Sequence, residues 1–516
     1  MNINRSYQSI VRSPALKLRY ATLTGSVASA GAFMFYWSDN PFRMSFVIGL
    51  GLIIAGLMLG VVSALLALAR SRRLMFRIGG LVGGTFVVLF GALLVFFSVH
   101  YRLVVQPRLG IDEWRQDLAI LGATIPRDHP NAFAHISREQ FNREFSDIKT
   151  QLASDSESQI EMSMVRLVAL LQDGHSTLFP FQPATGFHML PIQLYRFSDG
   201  WYITEASPRY QYLVGQRVMR IGAKSVEEVY AILHPFVGAD NESTVKDRIP
   251  LYMICPEVLQ AEGISPSATN TVVFIVAGPN GNASDANIEP VGLVRYLYWY
   301  FQPLQAWKHK PNESTLPLYR QQTWQNYWFR YLGSERTVYF AFNQVRDDSG
   351  ETFETFGTRL LAFCRAHPVD RLIIDIRNNS GGDNTIFRPF IRDLAQSPLN
   401  QRGRLYTIIG RHTFSAAVNF TSALERETQT LFVGEPAGAG PNHFGDPHKY
   451  ILPQSKLVVF LASRYHQWGD AADARRAHEP ALEISISHTD YFANRDPVLE
   501  SILHQSLGPT AIGGTR

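Results

Sequence analysis

The chain has 516 residues, enough for two or three domains, and its 46% hydrophobic and 18% charged residues are typical of a globular protein. The net charge of +4 hides an asymmetry. Residues 1–102 hold ten Lys or Arg and one acidic residue, whereas the rest of the chain holds 38 basic and 43 acidic residues. The basic excess is thus confined to the N-terminal end, and no basic stripe follows it, which argues against a nucleic-acid-binding protein.

Three long apolar stretches lie within residues 1–102, at about 21–37, 44–69 and 78–99. Each is close to the length that crosses a bilayer. The Lys and Arg residues of the N-terminal tail and of the second loop predict that both lie in the cytoplasm, which places everything after Arg102 outside it. We therefore predict a membrane-embedded, multi-pass protein of a bacterial inner (cytoplasmic) membrane. The first stretch would alternatively be a signal peptide, but the flanking Tyr36-Trp37 pair favours a retained helix.

Residues 103–185 are predicted to form a helical subdomain. Apolar residues at Trp114, Leu118 and Leu121 keep the spacing of an amphipathic helix. The last helix of this region ends in an Asp173-Gly174-His175 turn, which places an imidazole at a helix C-terminus. That histidine is either a residue interacting with the helix dipole or a catalytic base.

Residues 186–333 change to a strand pattern. The alternation in Ile192–Phe197 and in 201–205 predicts a hairpin, and a later Gly215-x-x-Val218-x-x-Ile221-Gly222 stretch precedes an amphipathic segment. This stretch resembles the signature of a PDZ-type module, which binds extended peptides by adding a strand to a sheet edge. A purely structural β domain is the alternative. Two cysteines, Cys255 and Cys364, are far apart, and their pairing is left open.

Residues 334–510 alternate between strand and helix patterns, which predicts a layered α/β core. We expect β-α-β units from residue 337 onward, with a helix from Asn384 to Ala395 after the second strand of the first unit. Within the core the apolar strand Leu405–Ile409 is followed by a helical pattern that starts at Ser415. A serine there is either an N-cap or a nucleophile beside the free N–H groups of the helix. A second strand runs directly into the Gly381-Gly382 turn, where glycine permits the close backbone approach that an oxyanion site requires.

These motifs together resemble the tail-specific, or C-terminal processing, serine peptidases, which share a core with tricorn protease. The matching stretches are Asp173-Gly174-His175-Ser176, Ile374-Asp375-Ile376-Arg377-Asn378-Asn379-Ser380-Gly381-Gly382, Thr413-Phe414-Ser415-Ala416, Val433-Gly434-Glu435 and Leu452-Pro453-Gln454-Ser455. The resemblance implies a crotonase-like (ClpP/crotonase-type) layered core in an α/β protein. We therefore expect that core to carry the helical N-terminal subdomain and the PDZ-like β module, all preceded by three transmembrane helices.

The resemblance also implies roles for single residues. Ser415 would be the nucleophile, and the oxyanion would bind the backbone N–H groups of Ala416 and of Gly381 or Gly382. The lysine base of the bacterial processing proteases is missing, since Ala439 stands in its place. The tricorn-like branch uses a histidine at the position of His175, although Gly174 replaces the serine that precedes it there.

The carboxylate that would orient His175 is left open by the resemblance. Glu479 is the first choice, and Asp473 and Glu435 are the alternatives. The predicted function is a membrane-anchored serine endopeptidase that cleaves polypeptides outside the cytoplasm. The alternative is a catalytically inactive peptide- or lipid-binding protein on the same fold. No metal site, cofactor or nucleic-acid partner is predicted, and the oligomeric state is left open.

Overall fold

The computed structural model describes residues 109–182, 185–268, 271–293, 295–297 and 315–505. All of them belong to one compact unit, Arg108–Arg516. Chain order within this unit runs from a helical region through an antiparallel sheet to a mostly parallel sheet that carries Ser415.

Three helices open the described chain: Ile111–Asp128 (α1), Arg138–Gln151 (α2) and Glu157–Ala169 (α3). Ser137 and Ser156 cap α2 and α3, and in each case a glutamine three residues on completes a capping box. The apolar face of α3 is deeply buried. The chain then turns through Asp173 and enters the short strand Thr177–Leu178 (β1).

An antiparallel region follows. Its strands are His188–Met189 (β2), Ile192–Phe197 (β3), Gly200–Ala206 (β4), Arg217–Ile221 (β5), Lys224–Ser225 (β6), Val272–Ala277 (β7), Ala283–Ile288 (β8) and Val291–Gly292 (β9). The order in the main sheet is β3-β4-β5-β7-β8, while β6 pairs with β5 and β2 pairs with β9. Three helices lie between β6 and β7 in the chain: Val226–Leu233 (α4), Glu242–Met253 (α5) and Pro256–Ala261 (α6).

A mostly parallel sheet forms the second half of the unit. Its strands are Tyr327–Leu332 (β10), Thr337–Phe342 (β11), Arg371–Asp375 (β12), Leu405–Ile409 (β13) and Leu431–Gly434 (β14), with Leu482–Glu483 added at the edge. Its helices are Phe353–Ala366 (α7), Arg388–Ala395 (α8) and Ala416–Glu427 (α9). Only the β10–β11 pair is antiparallel among the paired strands of this sheet.

Both faces of this sheet are covered, which explains why its strands read as continuous apolar runs. Phe340 and Ile374 face a cluster built with α7, α8 and α9. Their neighbours Tyr339 and Ile373 face a second cluster that includes the C-terminal helix Pro497–Leu503. The site-bearing turns therefore leave a sheet that is held rigidly from both sides.

A long hairpin, Asn442–Ile451 (β15) and Val458–Gln467 (β16), joins the two halves of the unit. β1 pairs with β16 in the antiparallel sense, so that Thr177 lies opposite Phe460. The hairpin therefore runs beside the Asp173–Ser176 turn.

The predicted β-α-β units after residue 337 are present, with one shifted boundary. The helix predicted from Asn384 begins at Arg388 instead. Asp383 explains the shift, because its carboxylate accepts hydrogen bonds from the N–H and the hydroxyl of Thr385 at 2.8 and 2.7 Å. Such a side-chain turn competes with the first turn of a helix.

The predicted membrane region requires a correction. No helix in the described ranges is long and apolar enough to cross a membrane. That finding contradicts the predicted fold class with its three transmembrane helices, and also the predicted multi-pass location in a bacterial inner membrane, so neither is retained. The spans at about 21–37, 44–69 and 78–99 lie outside the described residues.

Candidate active site

Ser415 occupies a strained turn between β13 and α9. Its backbone has a φ of 54° and a ψ of −126°, a conformation that residues with a side chain rarely adopt. Although Ser415 is the residue that precedes the first turn of α9, its side chain makes no capping hydrogen bond. The hydroxyl of this half-buried residue is therefore not used as a helix cap and is available for another role.

The Gly381-Gly382 turn packs directly against this serine. A Cβ at Gly381 would lie 2.7 Å from the Cβ of Ser415, and a Cβ at Gly382 would lie 2.0 Å from the carbonyl oxygen of Val345. Both glycines also have positive φ angles, of 112° and 143°. Only glycine fits at either position, as expected for a backbone that must approach a reacting group closely.

The three predicted oxyanion donors differ in what their N–H groups do. The N–H of Gly381 donates to Oδ1 of the buried Asn379 at 3.0 Å. In the described structure the N–H groups of Gly382 and Ala416 have no hydrogen-bond partner. The backbone carbonyl oxygen of Asn379 also accepts a hydrogen bond from the N–H of Phe414 at 3.1 Å. This bond ties the Gly381-Gly382 turn to the turn that carries Ser415.

The turn that carries His175 is organised by Asp173. This fully buried carboxylate accepts a hydrogen bond from the N–H of His175 at 2.8 Å, and it also accepts from the hydroxyl of Ser176. Nε2 of His129 lies 3.1 Å from the same carboxylate. Asp173 therefore fixes the backbone of the turn, and it does not bond the ring of His175.

The imidazole of His175 is buried and stacked. Its ring lies 4.4 Å from the ring of Phe414 and 5.8 Å from that of His443, nearly parallel to both. Neither ring nitrogen has a hydrogen-bond partner in the described structure. Burial, opposed by the charge of Asp173, lowers the pKa of His175 to about 4, so the ring is neutral near pH 7.

Gly174 leaves no room for a side chain between these groups. A Cβ there would lie 2.7 Å from Oδ2 of Asp240 and 2.7 Å from Cζ of Phe414. Its N–H donates to the same Asp240 oxygen at 2.9 Å. The serine that the tricorn-like proteins have at this position therefore cannot be accommodated here unless both Asp240 and Phe414 move.

The structure places the three carboxylates considered for orienting His175 in other surroundings. Glu479 is exposed and makes no hydrogen bond or ion pair in the described ranges. Asp473 binds Arg475 at 2.7 Å, and Glu435 binds Arg411 at 2.6 Å. An orienting role for Glu479 therefore stays a prediction without a contact that supports it.

At the position where the bacterial processing proteases have their lysine, this chain has a buried alanine. Ala439 is fully buried in the cluster that includes Ala416, while the neighbouring lysines of the sequence, Lys449 and Lys456, are exposed. A cation does pack against the residue before Ser415: Arg248 lies 4.9 Å from the ring centroid of Phe414 and donates to the carbonyl oxygen of Gly174 at 2.8 Å. An arginine stays protonated and is not a base.

Sequence reasoning missed the hairpin side of the site. His443 stacks on His175, His466 lies next to His443 at 5.6 Å, and Asp446 lies 3.4 Å from Nε2 of His466. These residues are more than 260 positions from His175 in the sequence. The pairing of β1 with β16 brings them together, and no local motif indicates it.

Within the described ranges, no group of three or more His, Cys, Asp or Glu side chains is placed to hold a metal ion. Both cysteines are buried and unpaired. The site thus combines Ser415, the unpartnered N–H groups of Gly382 and Ala416 beside it, and the neutral imidazole of His175 packed against Phe414.

No protein-family model matches the chain, and no curated protein matches it. Solved structures do. Mature CPAF complexed with lactacystin has a TM-score of 0.53 and 12% identity, over 76% of this chain and 97% of that one. A serine-to-alanine mutant of CPAF has a TM-score of 0.54 and 11% identity, over 77% and 99%.

Other matching structures carry the names of peptidases. The photosystem II D1 C-terminal processing protease matches with a TM-score of 0.33 and 11% identity, over 72% of this chain and 92% of that one. The likeness to CPAF shows the fold of this chain. At such low identity a likeness shows no activity.

Proposed function

We propose that the protein is a serine peptidase of the tail-specific type, with Ser415 as the nucleophile and His175 as the base. The observation that carries the proposal is the conformation of Ser415. Its backbone is strained, it lies at the N-terminus of a helix, and its hydroxyl makes no capping hydrogen bond. Backbone strain of this kind costs on the order of 1–3 kcal/mol and persists at functional sites because the surrounding structure imposes it.

The chemistry would begin with attack of the Ser415 hydroxyl oxygen on a peptide carbonyl while His175 takes the hydroxyl proton. The N–H groups of Gly382 and Ala416 would bind the negative charge that develops on the carbonyl oxygen. His175 would then return the proton to the leaving amine, and water would hydrolyse the acyl-enzyme. The neutral state of His175 supports its part, because a ring that already carries a proton cannot accept another.

No hydrogen bond joins Ser415 to His175 in the described structure, and both ring nitrogens of His175 are unpartnered. Catalytic hydrogen bonds are often long in free enzymes and shorten when substrate binds. The proposal therefore includes a small shift of the His175 ring along the face of Phe414 when a peptide is bound.

A serine-directed fluorophosphonate probe tests the proposal. We expect the wild-type protein to be labelled and the Ser415→Ala variant to remain unlabelled while keeping its circular dichroism spectrum. Ser334→Ala is the matched control, because Ser334 is exposed and lies in a turn away from the site, and this variant should be labelled like the wild type. Equal labelling of the wild type and Ser415→Ala would overturn the proposal.

The second candidate function is a peptide- or lipid-binding protein without catalysis. The observation that favours it is the stacking of His175 on Phe414, which leaves the ring without a bond to Ser415. This candidate predicts no labelling of any folded variant, together with saturable binding of a peptide or an apolar ligand that Ser415→Ala does not change.

A further inference from the structure

The β15–β16 hairpin brings a further carboxylate beside the proposed base. Gly445 of β15 lies next to His175, since a Cβ added to this glycine would be 4.0 Å from Cε1 of the ring. The same Cβ would be 2.7 Å from Cδ2 of His466, so Gly445 lies beside both imidazoles. The next residue is Asp446, whose Oδ1 lies 3.4 Å from Nε2 of His466. Asp446 and His466 therefore form a pair that adjoins the His175 ring.

The hairpin holds Asp446 in a defined position. Its φ of 50° is in the left-handed region, where aspartate and asparagine are better tolerated than most side chains. On β16 the N–H of Ala462 donates to the hydroxyl of Ser176 at 3.0 Å. At the hairpin turn the N–H of Ser455 donates to the buried carboxylate of Asp117 at 2.6 Å. The carboxylate of Asp446 is thus carried by a segment that is anchored at two points, as a positioning group requires.

The charged and titratable groups that face His175 come from three elements. They are Asp173 on its own turn, Arg248 on α5, and His443, His466 and Asp446 on the hairpin. Asp173 is already occupied by donors from its own turn and from His129. Arg248 disfavours a positive charge on the His175 ring. That leaves Asp446, a carboxylate whose charge favours the protonated ring.

The proposed reaction needs such a charge. His175 becomes positive when it takes the proton of Ser415. Burial penalises the positive form and lowers the pKa of the ring to about 4. In a Ser-His-Asp triad the aspartate offsets this penalty by stabilising the imidazolium. The side chain of Asp446 is 46% exposed, so solvent weakens its effect on His175 without removing it.

We propose that Asp446 is the positioning carboxylate of this site, which stabilises the positive charge that develops on His175, and that His466 holds Asp446 in place. The inference rests on the proposed function, because it concerns the same serine and histidine. Asp446 acts through space, since no hydrogen bond joins it to the ring of His175 in the described structure. Its effect is therefore smaller than that of a carboxylate bonded to the ring.

The test compares Asp446→Asn with the wild type in the full-length protein. Asparagine keeps the shape of the side chain and tolerates the positive φ, so the substitution removes the charge alone. At pH 7 we expect the rate of fluorophosphonate labelling of Ser415 to fall about tenfold, the size of a partly screened charge effect. Arg464→Gln is the matched control. Its exposed guanidinium lies 3.3 Å from Asp446, so its loss should not slow labelling.

A double variant separates charge from structure. Gly445 pairs with Arg464 and Pro447 pairs with Ala462, so Ser463 lies opposite Asp446 on β16. Ser463→Asp in the Asp446→Asn background returns a carboxylate to this point of the hairpin, and it should restore about threefold of the lost rate. A purely structural role of Asp446 would not respond to a charge on the other strand.

NMR of histidine tests the same charge without any reaction. In protein labelled with carbon-13 at histidine Cε1, the variant His175→Gln identifies the His175 signal. At pH 4 we expect this ring to be about half protonated in the wild type and mainly neutral in Asp446→Asn, because removal of a negative charge lowers its pKa further. Ser463→Asp alone should raise the protonated fraction, which keeps the test valid if Asp446→Asn does not fold.

Two results would overturn the proposal: labelling of Asp446→Asn at the wild-type rate, or a His175 signal whose protonation does not respond to these charges. Equal loss of labelling in Arg464→Gln would also overturn it, because the hairpin and not the carboxylate would then be responsible. If the wild type is not labelled at all, the proposed function fails, and the NMR comparison still decides whether Asp446 acts on His175.

Discussion

At the scale of single residues, the site depends on backbone positions that tolerate few alternatives. Ser415 holds a positive φ, and Gly381 makes room for its Cβ. Phe414 then fixes His175 through ring stacking. The ring of Phe414 fits beside Gly174 because glycine has no side chain. The side chains of Ser415 and His175, the proposed nucleophile and base, are therefore positioned by backbone shape and by packing, and neither side chain makes a hydrogen bond in the described structure.

The burial of His175 predicts how labelling depends on pH. Its pKa is lowered from 6.5 to about 4, and the neutral ring is the form that accepts the Ser415 proton. We expect the labelling rate to stay near its maximum below pH 6.5 and to fall by half near pH 4, measured between pH 3.5 and 8. A midpoint near 6.5 would contradict the buried base.

The same shift has a consequence for stability. Between pH 6.5 and about 4 the unfolded chain binds a proton at His175 and the native protein does not. The unfolded state therefore holds more protons in this window, and the free energy of unfolding falls as the pH drops through it. Circular dichroism at each pH separates this loss of stability from loss of labelling.

At the scale of elements, the Gly381-Gly382 turn is held by a cluster of buried ion pairs, which we call the clamp, between the end of β12 and the start of the helix Pro497–Leu503. Arg377 donates to both carboxylate oxygens of Asp496 at 3.0 Å and to Asp375 at 3.0 Å. Asp496 also caps that helix, accepting from the N–H of Leu499. All three charged groups are buried, so the end of β12, which leads into Gly381, is fixed in place.

The clamp predicts a large cost for losing one partner. Asp496→Ala removes one of the two carboxylates that pair with the buried Arg377. Removal of one partner of a buried ion pair lowers the free energy of unfolding by about 3–5 kcal/mol. Urea unfolding measures the free energy directly. Arg209 and Glu289 form an exposed pair, so the control Glu289→Ala should cost below about 1 kcal/mol. Equal costs for the two variants would contradict the clamp.

At the scale of the whole molecule, the local sequence pattern predicted the individual strands, helices and turns of the site, but it did not predict the contacts between segments that are distant in the sequence. The apolar run of β13 and the helical spacing of α9 placed Ser415 at the junction where it lies. The glycine turn was also recognisable, because its constraint is local. The stacking of His443 on His175 was not, since it arises from strand pairing across the chain.

The ion-pair partners of the charged side chains could not be predicted from the sequence either. Asp473 and Glu435 were reasonable partners for His175 by position, yet each is taken by an arginine. Which carboxylate faces which cation is decided by tertiary packing, and short motifs carry no information about it. Hydrophobic length also entered the predicted fold class as three membrane-spanning helices, whereas the ranges that the structure describes contain no helix long and apolar enough to cross a membrane.

The most direct test of the account is cleavage of an unfolded polypeptide. Denatured casein is incubated with the full-length wild type, Ser415→Ala and Ser334→Ala, and the products are followed by mass spectrometry. We expect the wild type and Ser334→Ala to cleave at the same rate, and Ser415→Ala to show no cleavage above background. Undiminished cleavage by a folded Ser415→Ala protein would contradict the assignment of Ser415 as the nucleophile.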